Sequence, residues 1–337
     1  MESIYFVLTW LCHRRCRHCY DDRFRPYVRN ELEQVVGQSQ TNVPRIIDHL
    51  PESMMVTAPT GESVKGRIIV SGGEVLLEPV RRSVLYPALE QIKSRYRGEV
   101  HLVVQTTGDR LTARILDELL ARNVSMVSVS GFDSYHVGIN RADRARALRE
   151  KLLAMFEAAG VREAGNGLPE NDSPPLFNIF GANEDTWIGK LWPRGRAWKN
   201  GLSRAGMDDN FCNAWSGGLN FLERGRTGSE VSIEPTGNVY PCCLKTRLPI
   251  GNLVHEHLDD IIDSLRGHPV YEAINRGKPE TMGHAFGWTT ERFLAESEID
   301  TPQGRPYRNL CIGCDRFHDK VLGPMIESAR QERLGHA

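Results

Sequence analysis

The sequence has no run of 18 apolar residues, no low-complexity segment and no excess of either charge. Its 42 basic and 43 acidic side chains give a formal net charge of -1, so no global field favours nucleic acid or an anionic membrane. Residues 1–11 lack the basic start, apolar middle and small-residue cleavage site of a secretory signal. We therefore expect a cytoplasmic protein that binds neither nucleic acid nor membrane and recognises its ligands at a local site.

Cysteine is the residue type that stands out against this background. Eight cysteines in a chain without a secretory signal predict metal ligands in a reducing compartment, not a disulfide framework. Three of them, Cys12, Cys16 and Cys19, have the spacing C-x3-C-x2-C directly after an apolar run at residues 4–11. The apolar run predicts a buried strand, so the three thiols are expected on a loop at its carboxyl end.

Three thiolates can hold a metal centre and still leave part of it open. In a four-iron cluster they would leave one iron without a protein ligand, and an open metal position is where a reactant binds. The alternatives are a zinc site completed by His13 or His18, or three unrelated surface cysteines. Zinc sites are more often built from paired C-x2-C halves, so the spacing favours a cluster and makes this loop the candidate catalytic site.

The loop Cys12-His-Arg-Arg-Cys16-Arg-His-Cys19 resembles the signature loop of the radical S-adenosylmethionine (SAM) superfamily, and the likeness extends over most of the chain. The resemblance implies a [4Fe-4S] cluster whose open iron binds SAM through its amino and carboxylate groups. It further implies reductive cleavage of SAM to a 5′-deoxyadenosyl radical, which abstracts a hydrogen atom from the substrate. A flavodoxin- or ferredoxin-type electron donor is implied as a partner.

A second motif, Gly72-Gly73-Glu74, follows a strand candidate at residues 67–71. Two glycines at a strand end let the backbone approach a ligand closely, and the adjacent carboxylate can accept hydrogen bonds from an ammonium group. Alone the triplet is also compatible with a plain turn. In this position it resembles the family segment that holds the amino group of SAM, which implies that all three residues bind the cofactor.

Further side chains match family positions that contact SAM. The resemblance implies this role for Thr106 or Thr107 after the third predicted strand and for Ser130 after the fourth. The resemblance also implies that Arg196 contacts the carboxylate of SAM, because a guanidinium binds a carboxylate with two parallel hydrogen bonds. Each has an ordinary alternative, since the hydroxyls can cap a turn or a helix and Arg196 can belong to a solvated basic turn.

Strand and helix candidates alternate through the first part of the chain, which predicts a parallel sheet with helices packed outside it. Further strands are predicted at residues 100–105, 125–130 and 176–180. Residues 21–42 predict a polar loop or irregular helix, followed by a short helix that begins at Pro44. In parallel sheets ligands bind at the carboxyl ends of the strands, where the motifs above all fall. The resemblance implies an α/β fold, a (β/α)6 partial TIM-like barrel over residues 1–200.

The remaining five cysteines lie in residues 201–337, where this alternation stops. They are Cys212, Cys242, Cys243, Cys311 and Cys314. A hairpin predicted at residues 231–241 delivers Cys242 to one end. Together with the late C-x2-C pair and Cys212 it makes four soft ligands, which fit either a structural zinc or a fully ligated iron–sulfur cluster.

The order of these cysteines resembles the shortened SPASM, or twitch, extension of radical SAM enzymes. The resemblance implies a small α+β domain at residues 201–337, with a C-terminal helix predicted at 324–333 and an auxiliary [4Fe-4S] cluster. Cys242 has the motif spacing from Gly237, and Cys243 is left over. Adjacent residues of an extended chain point to opposite sides, so Cys243 is expected in packing or, alternatively, as a thiolate contact to substrate or a soft ion.

Three hypotheses for the function follow. The first is a radical SAM enzyme acting on a small molecule of natural-product or sugar type, with a net oxidation or a redox-neutral outcome. The second is a maturase that modifies a ribosomal peptide or protein. The sequence begins at the first predicted barrel strand, so no leader-binding module is expected within it, which weighs against the second. The third is a metal-binding scaffold without catalysis.

Overall fold

The computed structural model describes residues 1–165, 171, 173–183, 189–214, 217–323, 325 and 331–332. Its strands are β1 (Ser3–Val7), β2 (Met55–Thr57), β3 (Ser63–Lys65), β4 (Arg67–Ser71), β5 (His101–Thr106), β6 (Val124–Ser130), β7 (Arg162–Glu163), β8 (Leu176–Phe180), β9 (Glu230–Ile233), β10 (Asn238–Tyr240), β11 (Gly251–Asn252), β12 (Glu298–Asp300) and β13 (Pro306–Arg308).

The helices connect these strands and cover the sheet. They are α1 (Arg29–Asp48), α2 (Glu78–Val80), α3 (Tyr86–Tyr96), α4 (Ala113–Leu120), α5 (Ala142–Ala158), α6 (Gly195–Lys199), α7 (Leu258–Leu265), α8 (Pro269–Asn275), α9 (Thr290–Ala295) and α10 (Leu310–Phe317). A π-helical turn, Arg81–Leu85, joins α2 to α3, and a second one, His318–Leu322, follows α10. Short 3-10 turns occur at Phe211–Asn213, Pro279–Thr281 and His284–Phe286.

One large sheet has the strand order β11-β10-β9-β1-β4-β5-β6-β8-β7. Every neighbouring pair from β9 to β7 is parallel, whereas β10 pairs antiparallel with both β9 and β11. The predicted α/β class is therefore confirmed. The five strands predicted by residue range are all present, as β1, β4, β5, β6 and β8, and the six-stranded barrel that the resemblance implies stays a prediction.

The two predicted halves of the chain share this sheet. Strand β9 pairs in parallel with β1 from Ser3 opposite Glu230 to Phe6 opposite Ile233. One connected apolar core accordingly runs from Ile4 in β1 to Phe317 in α10. The division of the chain at residue 200 stays a prediction, and the two parts are joined through backbone hydrogen bonds.

The prediction of a short helix that begins at Pro44 is wrong, because the helix begins much earlier in the chain. A helix of 20 residues, α1, begins at Arg29 and has Pro44 inside it. Its C-terminal half buries Ser39, Val43, Ile46 and Ile47 on both sides of Pro44, and this burial outweighs the hydrogen bond that a proline removes. A proline can thus mark the interior of a helix as well as its first turn.

Two further expectations concern the C-terminal helix and membrane-spanning helices. The helix predicted at 324–333 lies mostly outside the described residues. In the part of the chain that the structure describes, no helix combines the length and the apolar character needed to cross a bilayer.

Candidate functional site

The cysteine loop leaves the end of β1 and packs its thiols inward. Cys12 and Cys16 are buried and Cys19 is half-buried, and all three are free thiols. The sulfur of Cys12 accepts a hydrogen bond from the backbone N–H of Arg14, and that of Cys16 from the N–H of Val137, both at 3.4 Å. Such N–H donors suit sulfurs that carry charge in a metal cluster.

Burial controls the protonation of these thiols. It raises the pKa of Cys12 to about 12 and the pKa of Cys19 to about 11, and it also raises the pKa of Cys16. Without metal the thiols are therefore neutral at pH 7. A metal centre bound here displaces their protons, because thiolates are the ligands.

A cavity of about 210 Å3 lies next to the loop at the carboxyl edge of the sheet. The predicted residues that border it are Cys12, Cys16, Cys19, Gly72, Gly73, Thr106, Ser130 and Arg196. These residues come from the ends of β1, β4, β5 and β6 and from α6. The structure therefore brings the predicted site residues to one place, with the exception of Glu74, which does not border the cavity.

Gly73 lies against the backbone of the cysteine loop. A Cβ atom at this position would lie 2.3 Å from the carbonyl oxygen of Leu11, so a larger residue does not fit. The N–H of Gly73 donates to the carbonyl of Thr9 at 3.0 Å, and the N–H of Glu74 donates to that of Leu11 at 2.9 Å. The glycines therefore fasten the end of β4 to the loop that carries the thiols.

Glu74 differs from its prediction as a ligand of an ammonium group. Its buried carboxylate accepts four hydrogen bonds from within the protein. The donors are Thr106 Oγ1 (2.7 Å), the Leu76 N–H (3.0 Å), the Thr107 N–H (2.9 Å) and Thr107 Oγ1 (2.6 Å). The carboxylate thus ties the end of β5 to the turn after β4. Thr106 borders the cavity, but its hydroxyl is committed to Glu74.

Arg196 also differs from its prediction as a partner of a carboxylate. Its side chain is 7% exposed and its guanidinium donates to carbonyl oxygens of the cysteine loop. The acceptors are Cys16 (Nε, 2.8 Å), Asp22 (Nη1, 3.0 Å) and Phe24 (Nη2, 2.7 Å), and the backbone N–H of Arg196 bonds to the carbonyl of Cys19 at 2.8 Å. The planar fork therefore clamps this stretch of backbone, since Nε, Nη1 and Nη2 each donate to it.

Two histidines of the loop were the zinc alternative. His13 Nε2 is 2.9 Å from a carboxylate oxygen of Asp109, which Arg14 also contacts at 2.8 Å. His18 borders the cavity, and burial, followed by the neighbouring His136, lowers its pKa to about 4. Within the described residues, no three His, Cys, Asp or Glu side chains are arranged to hold a single metal ion.

Sequence reasoning missed a carboxylate–imidazole pair on the cavity wall. Asp133 and His136 both border the cavity and are joined by a bond of 2.9 Å between Oδ1 and Nδ1. Burial raises the pKa of Asp133, but the bond from His136 and three backbone N–H donors outweigh it and leave this pKa well below its usual range. Ser130 was expected after the fourth predicted strand, and Asp133 follows it three residues later. The spacing Asp-x-x-His was the unused signal.

The second site is a smaller cavity, of about 30 Å3, in the C-terminal half. Its border includes the four predicted ligands Cys212, Cys242, Cys311 and Cys314. Cys243 is buried and does not border it, in agreement with the expectation that this thiol lies in packing. Burial raises the pKa of Cys242 to about 11 and the pKa of Cys311 to about 12. The four sulfur groups around one cavity fit an iron–sulfur cluster, although the ligand assignment itself stays a prediction.

Asparagine side chains hold two of the second-site segments in place. The Oδ1 atom of Asn210 accepts from the N–H of Cys212 at 3.0 Å, and that of Asn309 accepts from the N–H of Cys311 at 2.9 Å. Asn309 caps α10 and is fully buried, and its amide donates to the carbonyl of Gly206 at 2.8 Å. Both cysteines therefore start short helical turns that are capped by a side chain two residues earlier.

Residues 192–196, which we call the arginine segment, touch both sites. Arg196 clamps the cysteine loop, whereas Arg194 borders the second cavity. Between them Gly195 has a φ angle of +50°, and a Cβ atom there would lie 2.4 Å from the carbonyl oxygen of Tyr20. Two arginines in one short segment thus hold the backbone around two different thiol sets.

A cluster of charges, in which Arg23 is half-exposed and the other members are largely buried, also joins the sites. Lys245 Nζ lies 2.7 Å from a carboxylate oxygen of Asp21 and 2.7 Å from one of Glu234. Arg23 contacts the same two carboxylates at 2.6 Å each. Burial raises the pKa of both acids, but the bonds to Arg23 and Lys245 outweigh it and hold both below their usual values. Asp21 follows Cys19 closely in the chain and Lys245 borders the second cavity, so the network links the backbone segments of the two thiol sets.

Comparison with known proteins identifies part of this architecture. Residues 226–279 match the family model of SPASM, an iron–sulfur cluster-binding domain. The predicted SPASM-like extension and its iron–sulfur character are therefore confirmed. No curated protein sequence matches the chain.

Solved structures show similarity over most of the chain. BtrN in complex with AdoMet and 2-DOIA has a TM-score of 0.41 and 15% identity, covering 82% of this chain and 87% of that one. The protein anSMEcpe with bound AdoMet and Cp18Cys peptide has a TM-score of 0.44 and 12% identity, covering 97% and 98%. SuiB of Streptococcus suis bound to S-adenosylmethionine has a TM-score of 0.30 and 11% identity, covering 81% and 67%. None of these structures assigns a role to a residue of this chain.

Proposed function

We propose that this chain is a radical SAM enzyme that abstracts a hydrogen atom from a small molecule and carries an auxiliary iron–sulfur cluster in its second site. One observation supports this most strongly. The three thiols of the cysteine loop and the polar ends of β4, β5 and β6 border one cavity at the carboxyl edge of the parallel sheet. Such an edge is where α/β folds bind their ligands.

In this proposal the protein positions the cofactors and the substrate and excludes water, and the cofactors supply the reactivity. Cys12, Cys16 and Cys19 would hold the cluster. With one electron from a flavodoxin- or ferredoxin-type donor, SAM bound there would supply hydrogen-abstracting radical chemistry, with methionine and 5′-deoxyadenosine as its products. Gly72, Gly73 and Ser130 border the space for SAM.

Apolar side chains on the same wall keep water out. Phe180, Leu191 and Trp192 border the cavity, and Trp192 packs edge-on against Tyr20 with ring centroids 5.4 Å apart. Excluding water protects a reactive radical from side reactions. The Asp133–His136 pair favours a small polar substrate, because it places hydrogen-bonding groups on the wall of the cavity.

The test is SAM cleavage by anaerobically reconstituted protein with a chemical reductant. The wild type should hold about eight irons per chain and release 5′-deoxyadenosine, and the triple alanine variant at Cys12, Cys16 and Cys19 should hold about four and release none. Cys243→Ala is the matched control, because Cys243 is a buried thiol that borders neither cavity. A wild type with a full cluster and no SAM cleavage would refute the proposal.

Substrate class is tested in separate arms. Small polar molecules and short peptides are offered with SAM, and products are followed by mass. Faster formation of 5′-deoxyadenosine with a small molecule, together with a product mass, supports the proposal as stated. The same response with a peptide alone would replace the small-molecule assignment with a peptide-modifying one.

A further inference from the structure

The second cavity contains a cation as well as four thiols. Arg194 borders it, and the side chain of Arg194 is only 17% exposed. Its Nε donates to the carbonyl of Leu244 at 3.1 Å and its Nη2 donates to the carbonyl of Lys245 at 3.4 Å. These bonds fix the guanidinium beside the segment that carries Cys242.

The partner of this cation is on the helix that carries two of the thiols. Asp315 follows Cys314 in α10, and its carboxylate meets Arg194 through two contacts, of 2.8 Å and 2.9 Å. Lys245 also borders the cavity, but its ammonium is held by Asp21 and Glu234 of the linking network. Arg194 therefore borders the second cavity, and Asp315 pairs with it from the helix that carries Cys311 and Cys314 without bordering the cavity itself.

Charges placed in this way act on an electron-accepting centre. A cluster with four thiolate ligands is anionic, and it gains one more negative charge on reduction. A cation nearby stabilises the reduced state and an anion destabilises it, and both effects are large where water is excluded. Arginine stays charged at every pH the protein meets, so its effect is permanent.

We propose that the Arg194–Asp315 pair sets the reduction potential of the auxiliary cluster, with Arg194 raising the potential and Asp315 lowering it. This inference rests on the proposed function, in which the second site holds an iron–sulfur cluster. In that role Arg194 is a positioning residue, because it acts on the cluster without binding substrate. It makes the second site easier to reduce and so suits it to receive an electron.

The experiment is a potentiometric titration followed by electron paramagnetic resonance. The parent is the full chain with Cys12, Cys16 and Cys19 changed to alanine, reconstituted anaerobically, so that the remaining signal belongs to the second site. We expect Arg194→Gln to lower the midpoint potential and Asp315→Asn to raise it. The double variant should lie between the two single variants.

The matched control is a second pair of the same chemistry at the same end of the molecule. Arg247 and Asp319 are 3.0 Å apart, but their side chains are 62% and 51% exposed. Arg247→Gln should leave the midpoint potential unchanged, because water screens its charge. Arg194→Lys keeps the charge, so its midpoint should stay closer to the parent than that of Arg194→Gln.

The outcomes separate this inference from the proposed function. A parent protein without about four irons means that the second site holds no such cluster, and the proposed function fails there. A parent with its cluster and single variants that shift the potential in the same direction, or not at all, overturns the inference. If Arg194→Gln retains no iron, Asp315→Asn decides the question, because a midpoint potential that does not rise in this variant overturns the inference.

Discussion

The two cysteine sites are built in opposite ways. The first takes its thiols from one loop between Cys12 and Cys19, directly after a buried strand. The second collects Cys212 from a 3-10 turn, Cys242 from the end of a hairpin, and Cys311 and Cys314 from α10. Closing long stretches of chain costs entropy, so the second site exists only where the C-terminal half is folded.

This difference predicts where each site is vulnerable. The first depends on a few backbone contacts around one loop, and a local change should empty it alone. The second depends on helix caps and on the packing of separate elements. The arginine segment and the linking network are the places where a change should reach both.

The largest effect is expected from Gly73→Ala. The new Cβ would meet the carbonyl oxygen of Leu11 at 2.3 Å, and both sides of this contact are backbone. We expect the clash to weaken cluster binding at the first site by about 3 kcal/mol. This free energy corresponds to a loss of first-site iron on the order of 100-fold, while the second site keeps its iron. Gly37→Ala in α1 is the control, because its Cβ meets nothing within 4 Å. Iron analysis and 5′-deoxyadenosine release check this, and equal iron in both variants would contradict it.

Arg196→Gln should have the next largest effect. A shorter neutral side chain leaves the carbonyls of Cys16, Asp22 and Phe24 without their charged donor. We expect the free energy of unfolding to fall by about 2–3 kcal/mol and the rate of SAM cleavage to fall about tenfold or more. Arg196→Lys should restore it only in part, since one ammonium cannot replace the fork. Lys199→Gln, in the same helix but 64% exposed, is the control in the cleavage assay. A similar loss there would refute the clamp.

Lys245→Met tests the link between the sites. Asp21 and Glu234 then keep only Arg23, and about 2 kcal/mol of stability should be lost at pH 7. Because the pKa of both acids lies below its unfolded value of about 4, their contribution is complete above that pH and is lost as the pH falls below it. The variant should therefore lose less stability than the wild type when urea unfolding is measured at pH 3 instead of pH 7. Unchanged acid sensitivity would argue against the network.

The smallest effect concerns His318, directly after the helix of the second site. Its imidazole is fully buried, and neither ring nitrogen has a hydrogen-bond partner among the described residues. Burial lowers its pKa to about 4 from an unfolded value of about 6.5. The unfolded chain binds the proton first, so stability should fall by about 1 kcal/mol between pH 7 and pH 5.5. His318→Phe should remove this component in the same unfolding measurement, and an unchanged pH dependence would contradict it.

The sequence predicted what is local and apolar. The strand at 67–71 was predicted with the bounds it has, because short apolar runs are typical of parallel strands that are covered on both faces. In the structure all its residues are buried. The cysteine loop was recognised because its spacing lies in one stretch. The prediction for α1 failed because Pro44 was weighed above the buried face of the helix.

The partners of polar side chains could not be predicted in the same way. Glu74 is satisfied by Thr106 and Thr107, and Arg196 by carbonyls of a loop far earlier in the chain. Such contacts depend on which strand ends meet, and spacing within one segment does not contain that information. The charge pair of Arg194 and Asp315 went unpredicted for the same reason.

The pairing of β9 with β1 has a practical consequence for anyone who shortens this protein. A fragment that ends near residue 200 would turn β1 from an interior strand into a sheet edge. The backbone amides and carbonyls from Ser3 to Phe6 that now bond to β9 would face solvent on a nearly all-buried strand. Exposed flat edges of that kind recruit other chains, so the fragment should aggregate rather than serve as a minimal catalyst.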